Sequence, residues 1–188
     1  MAILKHGALQ PNEWQTVADD AALPEGKPAV VSLDRWLKER DTLIGRPGDN
    51  RGPIGVKLKS DQSPIAIADD LERLSLIVLE FPKFTDGRGY SHARALRQRL
   101  GYKGELRAVG NVLRDQYLFM DRCGIDSIEI ADEANVPGYL ESLGEFSIWY
   151  QPAADQRPTV RVLRAAKSKE PTGGSAVVRE SVAASWAY

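Results

Sequence analysis

One nearly unbroken apolar run, Leu74-Ser75-Leu76-Ile77-Val78-Leu79-Glu80-Phe81, constrains this chain more than any other feature. A strand with apolar residues at both odd and even positions wants cover on both faces, the situation of a central strand in a parallel sheet. The residues on either side extend the theme. Ile54, Val56 and Leu58 alternate with smaller or polar residues as in a strand, and Ile65 to Leu74 follows as a short helix opened by Ser63-Pro64. Ser91 to Leu100 is the next helix, with Ala93, Leu96 and Leu100 on one stripe and Gly101 in the stop position. Leu106 and Ala108 mark a third strand, a helix from Leu113 to Cys123 ends at Gly124, and Ile125 to Ile130 is a fourth strand. Asn135 and Pro137 start a last helix through Leu143, before Phe146 to Tyr150 makes a fifth strand.

Strand centres about 20 to 30 residues apart fit right-handed β-α-β crossovers. The expected fold is α/β, with repeating β-α units and a mostly parallel sheet. Two arrangements satisfy the spacing: a partial β/α barrel and an open doubly wound sheet. The short helices and steady unit length lean towards the first.

Three segments are expected. Residues 1–53 hold a short strand at Ala29 to Leu33 and a helix from Asp34 to Arg40, with Ser32 as its N-cap, and end in the turn-forming stretch Gly45 to Pro53. Residues 54–151 are the α/β domain. Residues 152–188 carry six basic and three acidic side chains, net +3, against −1 for the whole chain. With Pro152, Pro158, Pro171 and Gly173-Gly174 breaking it up, and only Val160 to Leu163 suggesting a strand, this segment reads as a flexible basic tail. Its Ser185-Trp186-Ala187-Tyr188 end, with two aromatics on a polar arm, reads as an ordinary terminus or as a docking peptide, and the first is favoured.

Composition removes several function classes. A chain of 188 residues, 43% hydrophobic and 27% charged, is an ordinary globular protein. No apolar run approaches the ~18 residues of a membrane span, and Met1 to His6 lacks the apolar core of a secretion signal, so no membrane partner is expected and the compartment is cytoplasmic. The single cysteine, Cys123, fits a reducing location and supplies neither a disulfide nor a metal cage. A net charge of −1 argues against nucleic acid as a partner.

Parallel α/β sheets place ligands at the carboxyl ends of their strands, so the loops there are the place to look. After the first strand come Lys57, Lys59, Ser60 and Asp61; after the second, Glu80, Lys83, Asp86, Gly87, Arg88 and Gly89; after the third, Asn111, Arg114 and Asp115; after the fourth, Asp132. The second loop, Phe84-Thr85-Asp86-Gly87-Arg88-Gly89-Tyr90-Ser91, sets a cation beside two glycines just before a helix N-terminus. Arg88 and Arg114 on adjacent loops could grip a sulfite, phosphate or carboxylate together. The competing explanation is that both arginines form ordinary surface pairs. His92 is a candidate proton carrier or a capping residue, and Cys123 reads as a buried structural thiol. Neither a dinucleotide fingerprint nor a phosphate-binding loop is present, so no cofactor is evident.

The run Leu79 to Ser91, followed by Arg94-x-Leu96-Arg97 and by Gly104 to Gln116, resembles an uncharacterised bacterial family described as oxidoreductases of sulfite reduction, encoded beside sulfite or nitrite reductase genes. The resemblance spans about Val30 to Gln151. Asn111 stands where that family commonly carries Asp. What the resemblance implies is sulfur assimilation, with a sulfite or nitrite reductase as partner; any oxidoreductase activity rests on the resemblance alone. Two classes then compete. In one, the chain is an accessory protein of assimilatory sulfite reduction. In the other, it is a small-molecule enzyme or oxyanion-binding protein using Glu80, Asp86, Arg88, Arg114 and Asp115. Amino-acid side chains alone do not carry multi-electron reductions, which places the accessory role first.

Overall fold

The computed structural model describes residues 2–43 and 52–168. Most of the expected linker at Gly45 to Pro53, and the chain beyond Ser168, lie outside them. Strands β1 (Ala2–Lys5), β2 (Ala8–Gln10), β3 (Gln15–Thr16) and β4 (Ala29–Ser32) lead into helix α1 (Leu33–Leu43) and strand β5 (Ile54–Leu58). A 3-10 helix (Pro64–Arg73) then precedes β6 (Leu76–Phe81). Helix α2 (Arg88–Arg94), continued by a π-turn segment (Ala95–Arg99), precedes β7 (Glu105–Gly110). Helix α3 (Arg114–Arg122) precedes β8 (Ser127–Ile130), and α4 (Val136–Leu143) and α5 (Val160–Lys167) close the described chain.

All eight strands join one sheet in the order β2-β1-β8-β7-β6-β5-β4-β3, mostly parallel and curled into a half-barrel. Strands β4 to β8 run parallel in sequence order, while β1 pairs antiparallel with β8 and with β2. The sheet crosses the expected boundary at residue 53, since β4 and β5 are hydrogen-bonded neighbours from Ala29↔Ile54 to Ser32↔Lys57.

Among the described residues, helices cover one face only. The main core joins Val31, Val56, Leu58, Ile77, Leu79, Leu106, Ala108 and Ile128 of the sheet to Trp36, Ile67, Leu96, Met120 and Tyr139 of the helical layer. The other side of β6 contributes Leu76 and Val78, which cluster with Val30, Val109 and Trp14 and with no helix. The expectation of helices on both faces, and with it the doubly wound alternative, is corrected here. The second apolar face of β6 is covered by the strap that carries Trp14, whose ring comes so close to Gly55 that a Cβ there would lie 3.2 Å from it. Burying a ring against three aliphatic side chains removes apolar surface that no helix shields.

Beyond this patch the helix-free face is charged. Neighbouring strands align Lys5, Ser127, Arg107, Val78, Lys57 and Ser32 in one row across the sheet. One row down, Glu105 accepts from Lys5 Nζ at 2.6 Å, from Arg107 Nη2 at 2.7 Å and from Ser127 Oγ at 2.7 Å. Arg107 Nη1 also donates to Asn12 Oδ1 at 2.9 Å, which ties the strap to the sheet. Burial by itself would push the Glu105 carboxyl up, but hydrogen bonds from Lys5, Ser127 and Arg107 prevail and hold it at about 2.

Two segments near the end differ from the expected strands. Phe146 to Tyr150 makes a single bridge, Trp149 to Thr159, because no sheet edge lies beside it, and Phe146 and Ile148 stay exposed. Val160 to Leu163 is the start of α5; its β-branched residues favour a strand only where a neighbour offers pairing. Local capping follows the sequence more closely. Arg35 N–H donates to Ser32 Oγ at 3.0 Å, and Gly101 and Gly124 take positive φ after their helices.

Replacing Trp14 with Ala should lower unfolding free energy by about 2 kcal/mol in urea titration, since the ring is only partly buried. A change under about 0.5 kcal/mol would mean that the strap does not stabilise the sheet. Because the folded Glu105 carboxyl lies below its ordinary 4.5, its contribution is complete above that pH and is lost as pH falls towards 2. Glu105→Gln should therefore lower stability at pH 7 and flatten the fall between pH 4.5 and 2, by on the order of 2 kcal/mol, as read from urea midpoints across that range.

Candidate functional site

The carboxyl edge of the parallel strands gathers the loops after β5, β6, β7 and β8, which is where an α/β sheet offers its ligand sites. Asn111 is brought there by a close approach of two strands. Gly110 takes φ +99°, and a Cβ on it would sit 2.5 Å from the Phe81 carbonyl, which instead accepts the Asn111 N–H at 2.7 Å. Asn111 lines a cleft of roughly 380 Å³ between the ends of β7 and β8 and the start of α4. Glu129, Asp132, Asn135 and Tyr139 share that cleft. Tyr139 Oη donates to the Val112 carbonyl at 2.9 Å, and burial pushes its phenol up, so it is a fixed neutral wall. Asp132 accepts from Ala134 N–H at 3.0 Å and Asn135 Nδ2 at 3.3 Å, capping the turn into α4.

The two expected arginines are already paired. Arg88, first residue of α2, meets Asp86 through Nε at 2.9 Å and Nη2 at 2.7 Å, and Nη2 reaches Ser60 Oγ at 2.9 Å. Hydrogen bonds from Arg88 and Ser60 hold the Asp86 carboxyl well below the usual carboxylate range. Arg114 faces α4: Nε donates to the Gly138 carbonyl at 2.8 Å, and Nη2 lies 3.2 Å from Glu145 and 3.6 Å from Glu141. The two arginines thus answer to separate partners, one clamping the β5 and β6 loops, the other clamping α3 to α4. Lys57 Nζ lies 2.7 Å from Glu80 Oε1 on the helix-free face. Lys83 and Asp115 are exposed and make no ion pair with a described residue.

Of the two glycines of the second loop, Gly89 alone serves packing. Gly87 has an ordinary φ of −81°, and a Cβ on Gly89 would fall 2.4 Å from the Phe81 ring. His92 is half-buried; burial, then the nearby Arg88, lower its pKa, and it borders a small cavity of roughly 230 Å³ with Ser63 and Ser91. Burial also pushes the half-buried Cys123 thiol up. Among the described residues no three His, Cys, Asp or Glu side chains are grouped to hold a metal ion, and no helix is long and apolar enough to cross a membrane.

Sequence reasoning missed Glu129, Asn135 and Tyr139 in the cleft and the network around Glu105. A signal for the network was present: Glu105 and Arg107 alternate with Leu106 and Ala108, the pattern of a strand with one charged face. Two exposed apolar residues also stand at this edge. Phe84 is 54% exposed and Leu113 39%, and Gln116 Nε2 joins their loops by donating to the Phe84 carbonyl at 2.7 Å.

Fold and edge together define a mostly parallel α/β half-barrel with a polar cleft at its carboxyl end. The chain belongs to a family of bacterial proteins of unknown function, DUF934, whose sequence profile matches residues 55–160, more than half of its length. No curated protein matches it. The matched region holds β5 from its second residue, β6 to β8 and every candidate loop, while β1 to β4 lie outside it.

Replacing Arg88 with Ala removes the strongest hold on Asp86. Its carboxyl should then titrate nearer the ordinary carboxylate range in a carbon-13 NMR titration, with Ser60 left as partner. An unchanged titration would show that the pair does not persist in solution.

Proposed function

We propose that this chain is an accessory protein of assimilatory sulfite reduction, acting in the cytoplasm beside a sulfite or nitrite reductase. The observation that carries this reading is the pair Phe84 and Leu113, exposed on linked loops at the carboxyl edge. Aromatic and aliphatic side chains left in water beside charged neighbours are the makings of a contact centre. Lys83 and Asp115 flank them with free charges that can set orientation. The resemblance to a sulfite-reduction family covers these same loops, from Leu79 to Gln116. Within this reading the succession from β4 to β8 is a set of β-α units of a partial barrel that presents the loops in a row.

A second reading, an enzyme or small-ligand protein working at the strand ends, draws support from the cleft beside Asn111. Its lining is acid and amide, which suits a donor-rich ligand better than an oxyanion.

The test is a paired measurement. Phe84→Ser with Leu113→Ser should leave the melting temperature within a few degrees, weaken binding of the purified chain to purified sulfite reductase by about tenfold or more, and slow growth on sulfite as sole sulfur source in a strain lacking the native gene. Unchanged binding and growth with both residues replaced would discard the accessory role at this edge. Wild-type chain that fails to bind the reductase, together with normal growth of the deletion strain, would discard the link to sulfite altogether.

A further inference from the structure

The last described segment is held tightly and then presents a helix that nothing described covers. Arg122, in the last turn of α3, stacks 4.1 Å from the centroid of the Trp149 ring, donates through Nη2 to the Gln151 carbonyl at 2.8 Å and pairs with Asp155 at 3.1 Å. Arg157 crosses back to Asp121 at 2.7 Å, and Ala154 N–H donates to the Arg122 carbonyl at 2.9 Å. The segment from 149 to 157 is therefore no loose arm. It delivers the chain to Thr159, where α5 begins.

In α5 the apolar side chains Val162, Leu163, Ala165 and Ala166 share one side, and Arg161, Arg164 and Lys167 share the other. Val162 is 57% exposed and Leu163 45%, so the apolar side is not buried against any described element. Between α5 and the preceding turns runs a groove of roughly 840 Å³, bordered by Tyr150, Pro152, Pro158, Val162 and Ala165, with Arg161 at its rim. No acidic residue occurs from Gln156 to Ser168, and Arg161, Arg164 and Lys167 make no ion pair with a described residue. A concave apolar trough with the unpaired Arg161 at its rim, on a helix whose next turn adds the unpaired Arg164 and Lys167, has a definite complement.

We propose that α5 and the groove it forms with Tyr150, Pro152 and Pro158 are a docking surface for an acidic segment of a partner protein that also carries apolar side chains. The charge decides among occupants. A second copy of the same surface would set three cations against three, which costs association. An anionic membrane would satisfy the charge, but a two-turn helix whose apolar side is half alanine buries little in a bilayer, and a trough fits a chain rather than a plane. An acidic segment gains from both the apolar lining and the cations, and the attraction speeds encounter. The surface is anchored at the end of α3 remote from the carboxyl edge, so it is separate from the contact centre at Phe84 and Leu113.

Selection of random peptides on the full-length wild-type chain tests this directly. Enriched peptides should carry net negative charge together with apolar residues. A synthetic copy should bind in fluorescence anisotropy, about tenfold or more weaker to Val162→Asp and to the double variant Arg161→Glu/Arg164→Glu. Raising salt from about 50 to about 500 mM should weaken it likewise. Both variants alter exposed positions, and unchanged circular dichroism confirms that each remains folded. Absence of enrichment, enrichment of neutral or basic peptides, or equal binding to the folded variants would overturn the proposal. So would flotation of the chain with anionic phospholipid vesicles, or self-association, if abolished by Val162→Asp.

Discussion

The structure depends on a mismatch between a strand that is apolar on both sides and a helical layer that covers only one of them. In β6, Ile77, Leu79 and Phe81 meet helices, while Leu76 and Val78 point the other way. The chain resolves this with its own N-terminal strap, which brings Trp14 over the exposed apolar patch and Asn12 to Arg107. Away from that patch the same face shifts to ion pairs that satisfy one another, Glu105 with Lys5 and Arg107, and Lys57 with Glu80. Partly buried charges are tolerated there because each carboxylate is met by donors from neighbouring strands. The curl of the sheet, the strap and the charged rows are three parts of one solution.

That solution shapes the carboxyl edge. The charges that would make an obvious anion site are turned inward onto local partners, Asp86 and Ser60 for Arg88, the α4 carbonyl and acids for Arg114. What stays available is a cleft of amides and acids beside Asn111 and a pair of apolar side chains on linked loops. The edge therefore presents contact surface more than concentrated charge.

Much of the parallel sheet was legible because its strands are long apolar runs set off by glycine stops, and those signals are local. The positions of Leu76 to Phe81, Gly101 and Gly124 all follow from sequence in this way. The first three strands were not legible, since β1, β2 and β3 have only four, three and two residues and owe their state to partners more than a hundred residues away or across a turn or loop, whereas β4 follows from Ala29-Val30-Val31. The same dependence explains both misassigned strands. Phe146 to Tyr150 and Val160 to Leu163 have strand-like residues, but the sheet has no free edge beside them. In the loops, Arg88 and Arg114 each have local partners that the sequence did not indicate, because residue type gives a side chain's charge and not the direction in which its neighbours draw it.

The placement of β1 and β4 has a consequence for evolution and handling of the fold. They lie outside the stretch that the family profile matches, yet each zips onto one flank of the strands inside it, β1 along β8 and β4 along β5. Beyond them the sheet tapers to β2 and β3, three and two residues long, too brief to template another chain. The segments preceding the matched region thus act as selvedges that stop the sheet from fraying into its neighbours. A fragment cut to residues 55–160 would keep the candidate loops but present two raw, apolar, hydrogen-bond-hungry borders, and its natural fate would be to stack into fibres or aggregates.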